Sequence, residues 1–338
     1  MTRDAAAHRS GRYRRYLRFL ALSVCCLGFL RVALISAAPA AAENARWDFL
    51  VTNLDVFPGT GQFFEPDEKL FWRLKKNLRE VKASEKLPAI EFPFTVSTNA
   101  EGRRVVPGNP GSSDTRSGKT VLFLGDSCTF GIPVNDDETF PARTKAKLAG
   151  GAAIEIHAVN AGVPGYSVFQ GRLLLEQFTA PPDIVVVTFW PNGRSIWDHL
   201  SDAEHVELLA AERRGEFNTL RLTRLWRRVT PGNRQRLNDE EFAGQLRLIA
   251  AWCREKGSTA VFQVWPTQRQ TTEAAEVDRQ QIIRRVGREE NVTVVDLVPT
   301  FRSAGDPGLF VDNIHCTRQG HDLAATALSD ALAGLLRK

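Results

Sequence analysis

From about residue 119 to the C-terminus, apolar residues alternate between two rhythms. Short, nearly unbroken runs at 120–124, 154–160, 184–190, 259–264 and 292–296 read as strands buried on both faces. Between them, segments 141–148, 168–178, 240–256 and 274–289 carry apolar residues at helical spacing, and a last helix is expected over 318–336. In 240–256, Phe242, Leu246, Ile249 and Cys253 fall on one stripe, and Asn238 with Glu241 forms a capping-box start. Strands alternating with helices predict an α/β fold. It would be a doubly wound, five-stranded parallel sheet with helices on both faces, in three layers.

Two regions break this rhythm. Residues 43–118 read as an N-terminal extension packed on the core. Within it, 47–57 and 92–96 look extended, and Leu70, Phe71, Leu74 and Leu78 predict a helix over 68–81. Residues 106–118, rich in Gly, Pro and Ser, read as a linker or loop. Residues 198–237 are an insertion, with Leu220, Leu222, Leu225 and Trp226 set among Arg221, Arg224, Arg227 and Arg228. Two readings of it stay open: a cap over the site, or a solvated amphipathic helix pair beside the core.

Charge then changes the picture of the N-terminus. The chain of 338 residues has a formal net charge of +5, yet residues 1–31 alone hold seven Arg and one Asp. The remainder is close to neutral, which leaves no electrostatic footprint for nucleic acid. The arginines precede an apolar run from Phe19 to Leu30, and a second run ends at Ala40-Ala41-Ala42. Residues 1–42 therefore read as a secretory signal peptide or as a membrane anchor through 19–42. Arg31 would cost a spanning helix about 2.5–3.5 kcal/mol. Either reading places the body outside the cytoplasm, in the periplasm or extracellular space or at the membrane.

Candidate chemistry sits at the strand ends. The first core strand runs into Gly125-Asp126-Ser127, and open α/β sheets hold ligands at the carboxyl ends of their strands. Far downstream, Asp312 and His315 lie three residues apart, so one turn can bring both side chains to the same strand end. A serine hydroxyl needs an adjacent base to become a nucleophile. His315 is such a base, and Asp312 would fix its tautomer and stabilise the imidazolium. His157, His199, His205 and His321 have no partners at metal-ligand spacing, and no glycine-rich phosphate loop is present. No metal and no cofactor are expected. Ser127 lies outside any Gly-x-Ser-x-Gly elbow.

These pieces and their order resemble the SGNH, or GDSL-type, hydrolase superfamily from about Lys119 onward. Gly125-Asp126-Ser127 resembles its first block, and Asn160 to Ser167 (Asn-Ala-Gly-Val-Pro-Gly-Tyr-Ser) its second. Trp190-Pro191-Asn192-Gly193 resembles its third, and Asp312 with His315 its last, followed by Thr317, Gly320 and His321. The resemblance implies a flavodoxin-like sheet with Ser127 as nucleophile, His315 as base and Asp312 as its partner. It also implies an oxyanion site from the Ser127 amide, the Gly165 amide (with Gly162 as the alternative) and the Asn192 side chain. The third block departs from the family pattern, with Gly193 where an aspartate is usual and Pro191 where a glycine is usual. Phe130, Trp190 and Trp197 are expected to line the substrate pocket. The expected activity is cleavage of carboxylic esters, on a small molecule or a glycan, through an acyl-enzyme. The alternatives are O-acyl transfer to a cell-envelope polysaccharide and, with less in its favour, a degenerate binding protein. Cys128 and Cys316 flank the proposed nucleophile and base, and two readings stay open for them: a disulfide, or small buried hydrophobes.

Overall fold

The computed structural model describes residues 60–83, 94–109, 118–151, 155–190, 192–194, 199–216, 218–230 and 234–337. The expected signal peptide or anchor, the extended segment at 47–57 and Trp197 lie outside the described residues. Among those described, no helix is long and apolar enough to cross a membrane.

The described chain begins with an antiparallel hairpin of β1 (Phe64–Asp67) and β2 (Phe71–Leu74). This replaces the helix expected over 68–81. Asp67 accepts the backbone N–H groups of Lys69 and Leu70 at 2.9 and 2.8 Å, closing a tight turn at the point where that helix would begin. Leu70, Phe71, Trp72 and Leu74 are all buried, so the apolar spacing serves a hairpin covered on both sides. A second short antiparallel pair, β3 (Val81–Lys82) and β4 (Thr95–Val96), follows.

The core then alternates as expected. In chain order come β5 (Lys119–Gly125), α1 (Ser127–Phe130), α2 (Phe140–Gly151), β6 (Ile156–Gly162), α3 (Val168–Leu175) and β7 (Ile184–Thr188). The insertion contributes α4 (Asp202–Arg213) and α5 (Leu220–Val229). The chain continues through α6 (Asp239–Lys256), β8 (Thr259–Val264), α7 (Asp278–Glu289), β9 (Thr293–Asp296), α8 (Leu297–Ala304) and α9 (Arg318–Leu336). The strands form one parallel sheet in the order β6-β5-β7-β8-β9, the flavodoxin-like arrangement. Helices α2 and α9 pack together over one face, burying Val121, Phe123, Val186 and Val261 with Leu328 and Leu332. Helices α3, α6 and α7 cover the other face. Strand order reverses at β5, so the crevice between the ends of β5 and β7 is the topological switch point.

The insertion is a helix pair with unequal halves. Leu208, Leu209 and Ala211 of α4 are buried, whereas Leu222, Leu225 and Trp226 of α5 are exposed. Its two ends are clasped together: the Asp202 amide donates to the Arg236 carbonyl at 3.0 Å, and Arg236 Nε to Asp202 Oδ1 at 2.8 Å.

The extension is fastened to the core by Arg104, which is 1% exposed. Its guanidinium donates to the carbonyls of Phe130 (2.7 Å), Gly131 (2.9 Å), Val134 (2.6 Å) and Thr95 (3.0 Å), and to Asp136 Oδ1 (2.8 Å). Removing it takes a donor from each of those carbonyls and the cation from Asp136. Arg104→Ala is expected to lower unfolding stability by about 3–5 kcal/mol in chemical denaturation. A loss under about 1 kcal/mol would show that solvent replaces the guanidinium without penalty.

Candidate active site

β5 is apolar from Val121 to Leu124, and after Gly125 the chain turns abruptly into α1. Asp126 makes that turn. Its Oδ1 accepts the Cys128 amide at 2.9 Å, capping the helix that begins at Ser127. Burial pushes the Asp126 carboxyl up to about 6; the Cys128 and Trp190 amides and the nearby His315 oppose that rise. Ser127 is thereby fixed at the carboxyl end of β5, 3% exposed.

His315 reaches it from the other end of the chain. His315 Nε2 lies 2.8 Å from Ser127 Oγ, and Nδ1 lies 2.7 Å from Asp312 Oδ2. The second Asp312 oxygen accepts the amides of Ile314 (2.8 Å) and His315 (2.7 Å), so one carboxylate shapes the turn and orients the ring. Burial pushes the Asp312 carboxyl up. The His315 hydrogen bond and charge, with the two amides, outweigh it and hold Asp312 below the ordinary carboxylate range.

The loop after β6 approaches from the other side. Gly162 packs so closely on α1 that an added Cβ would lie 2.1 Å from the Phe130 nitrogen. Its amide is engaged by Asn160 Oδ1 at 3.0 Å. Gly165, of the two glycines considered, stands at φ +80°, a left-handed conformation that favours glycine. Asn192 follows β7, and its Nδ2 donates to the Tyr166 carbonyl at 3.0 Å. Ser127, His315 and Asp312 therefore meet directly, and Asn192 joins the loop that carries Gly165.

The stretch 123–323 matches the model of the GDSL-like lipase/acylhydrolase family, more than half of the chain. The chain belongs to this family. It is accordingly an enzyme of the ester-hydrolase class. Solved structures similar to this GDSL-type hydrolase include an acetyl xylan esterase, at 15% identity and TM-score 0.45, covering 63% of this chain and 99% of that one. A lipase/acylhydrolase from Enterococcus faecalis shows 18% identity and TM-score 0.45, covering 64% and 97%. An acetylxylan esterase from Geobacillus stearothermophilus shows 18% identity and TM-score 0.42, covering 63% and 93%. No curated protein matches by sequence.

The hydrolase's departure at Gly193 has a physical counterpart. A Cβ there would lie 2.2 Å from Arg279 Nη1. Arg279 is buried over the Phe242 ring at 4.7 Å and donates to the Leu237 carbonyl at 2.6 Å. A guanidinium thus occupies the space an aspartate side chain would need. Pro191 lies outside the described residues.

Of the three residues expected to line the pocket, Phe130 and Trp190 lie among the described residues. Phe130 is fully buried beneath the Arg104 guanidinium, 4.6 Å from ring centroid to Cζ, so it stands in the core and not on a pocket wall. Trp190 is half-buried against the core, and its indole N–H has no partner among the described residues. Cys128, Cys253 and Cys316 are buried free thiols, and burial raises all three above the ordinary thiol range. The alternative of a Cys128–Cys316 disulfide is therefore not what the structure holds. Among the described residues no group of three or more His, Cys, Asp or Glu converges as metal ligands would.

The lowered Asp312 gives a pH signature. Its folded-state value lies below its unfolded one, so it stabilises the fold above the ordinary aspartate range, about 4, and that contribution fades as pH falls through the lowered value. Asp312→Asn is expected to flatten the pH dependence of the melting temperature on the acid side. An unchanged acid slope would mean the carboxylate contributes nothing to folding.

Proposed function

We propose that this protein cleaves carboxylic esters, on a small molecule or a glycan, by a serine mechanism, and does so outside the cytoplasm. The observation that carries the mechanism is the continuous hydrogen-bonded line from Ser127 Oγ through His315 to Asp312, at 2.8 and 2.7 Å.

In this reading the Asp312 carboxylate accepts a hydrogen bond from the Nδ1–H, which leaves the Nε2 lone pair facing the serine. As Ser127 Oγ bonds to the ester carbon, His315 takes the hydroxyl proton. It returns that proton to the departing alkoxide, leaving an acyl-enzyme and a free alcohol. Water then attacks with His315 again as base. The acid is released and the Ser127 hydroxyl restored. The negative oxygen that forms twice would lie among the Ser127 amide, the Gly165 amide and the Asn192 side chain. Such donors act where charge develops. The basic, then apolar, N-terminal segment supports export or attachment to a membrane through residues 19–42.

Ser127→Ala is expected to lose both turnover of p-nitrophenyl esters and covalent labelling by a fluorophosphonate. Asn192→Ala should keep slow labelling while kcat falls roughly 10²–10³-fold, about 2.7–4 kcal/mol, with KM little changed. Turnover that survived Ser127→Ala would overturn the serine mechanism. Near-full kcat in Asn192→Ala would remove that amide from the oxyanion site.

A further inference from the structure

Three consecutive carbonyls in the loop after β6 are each gripped by a side chain from a different part of the chain. Trp72 Nε1, from the N-terminal hairpin, donates to the Pro164 carbonyl at 3.1 Å. Arg236 Nη1, from the end of the insertion, donates to the Gly165 carbonyl at 2.7 Å. Asn192 takes the Tyr166 carbonyl. A peptide group is planar, so holding a carbonyl also aims the N–H of the same plane. The plane whose carbonyl Trp72 holds is the one that presents the Gly165 N–H.

We propose that Trp72 and Arg236 are positioning residues that aim the Gly165 amide at the developing oxyanion, Trp72 by holding the peptide plane of that amide and Arg236 by fixing the next plane and the Trp72 ring. This rests on the reading that Gly165 is an oxyanion donor. The two side chains act as one unit. The Arg236 guanidinium lies 5.7 Å from the Trp72 ring centroid, in a cation–π arrangement. Arg236 also bonds both oxygens of the buried Asp202 and reaches Gln170, while Ser167 bonds Asp202. The Tyr166 hydroxyl donates to the Trp72 carbonyl, and Gln170 Nε2 to the Leu70 carbonyl at 2.7 Å. A left-handed glycine carries the least intrinsic restraint of any residue, so its amide direction is set by these neighbours. The N-terminal hairpin and the insertion thereby become parts of the active centre, although neither supplies a reacting atom.

The test uses the full-length enzyme, with active sites counted by fluorophosphonate titration so that misfolded molecules drop out. Trp72→Phe keeps the ring over Arg236 but removes the N–H. Arg236→Lys keeps the charge opposite Asp202, but its ammonium cannot serve Gly165, Asp202 and Gln170 together. Each variant is expected to lower kcat per active site about tenfold, less than removal of a donor costs because the Gly165 amide is misaimed and not lost, with KM nearly constant. The discriminating readout is the rate ratio between an oxygen ester and its thiono analogue, whose sulfur is a weaker acceptor for the same donors. Both variants should narrow that ratio, because the oxygen ester loses more. Equal losses on the two substrates, or an unchanged kcat per active site, would overturn the proposal. Failure of the wild-type protein to label or turn over would instead count against the serine mechanism itself.

Discussion

The register of β5 against β7 is the constraint on which the rest depends. Gly125 lies opposite Thr188, and on its other side opposite Gly162 of β6, so three strands end at one level. Parallel strands with matched ends send their following loops out of the same edge. Asp126–Ser127, the Gly165 loop and Asn192 therefore converge without any long excursion of the backbone. The last element needed, the turn holding Asp312 and His315, enters beside them just before α9 packs along α2. Slipping one strand by a residue would turn its buried side chains to the opposite face, so burial on both faces holds the site in place.

Convergent loops create a second problem, because irregular backbone leaves carbonyls without partners inside the protein. Three buried arginines answer it. Arg104 serves the turn after α1, Arg236 the loop after β6, and Arg279 the segment beside Asn192 and Gly193. A guanidinium suits this work because it presents five donors in a rigid plane and stays charged. Each of the three also lies over an aromatic ring and bonds a carboxylate: Phe130 with Asp136, Trp72 with Asp202, and Phe242 with Asp239. The loops are thus held by charged groups that are themselves neutralised in the interior.

This division explains what could be read along the chain. The five strands and the long helices carry strong apolar periodicity, and their positions follow from it to within a few residues. Ser127 and Asn192 follow strand ends, and Asp312 with His315 lie in the turn before α9; all four fall in recognisable blocks, so the meeting of Ser127, His315 and Asp312 was foreseeable. The hairpin at 64–74 was not, since Leu70, Phe71 and Leu74 fit a helix equally well and only the Asp67 turn decides between them. Phe130 follows Ser127 closely in sequence, yet α1 turns it into the core. Trp72, Asp202 and Arg236 gave no signal, because their importance comes from contacts across 34 to 92 positions. A lone arginine in an arginine-rich run has no pattern to mark it out. At Gly193 the sequence marked the departure, and the buried Arg279 supplies its reason.

The central claim is that Ser127, activated by His315, becomes covalently acylated. Rapid acid quenching during turnover of a p-nitrophenyl ester, followed by peptide mass mapping, measures this directly. The account predicts one acyl increment on the peptide containing Ser127, localised to that side chain and absent in His315→Ala. An increment on another residue, such as Cys128, would contradict it, as would steady turnover with no acylated peptide while acyl-enzyme breakdown limits the rate.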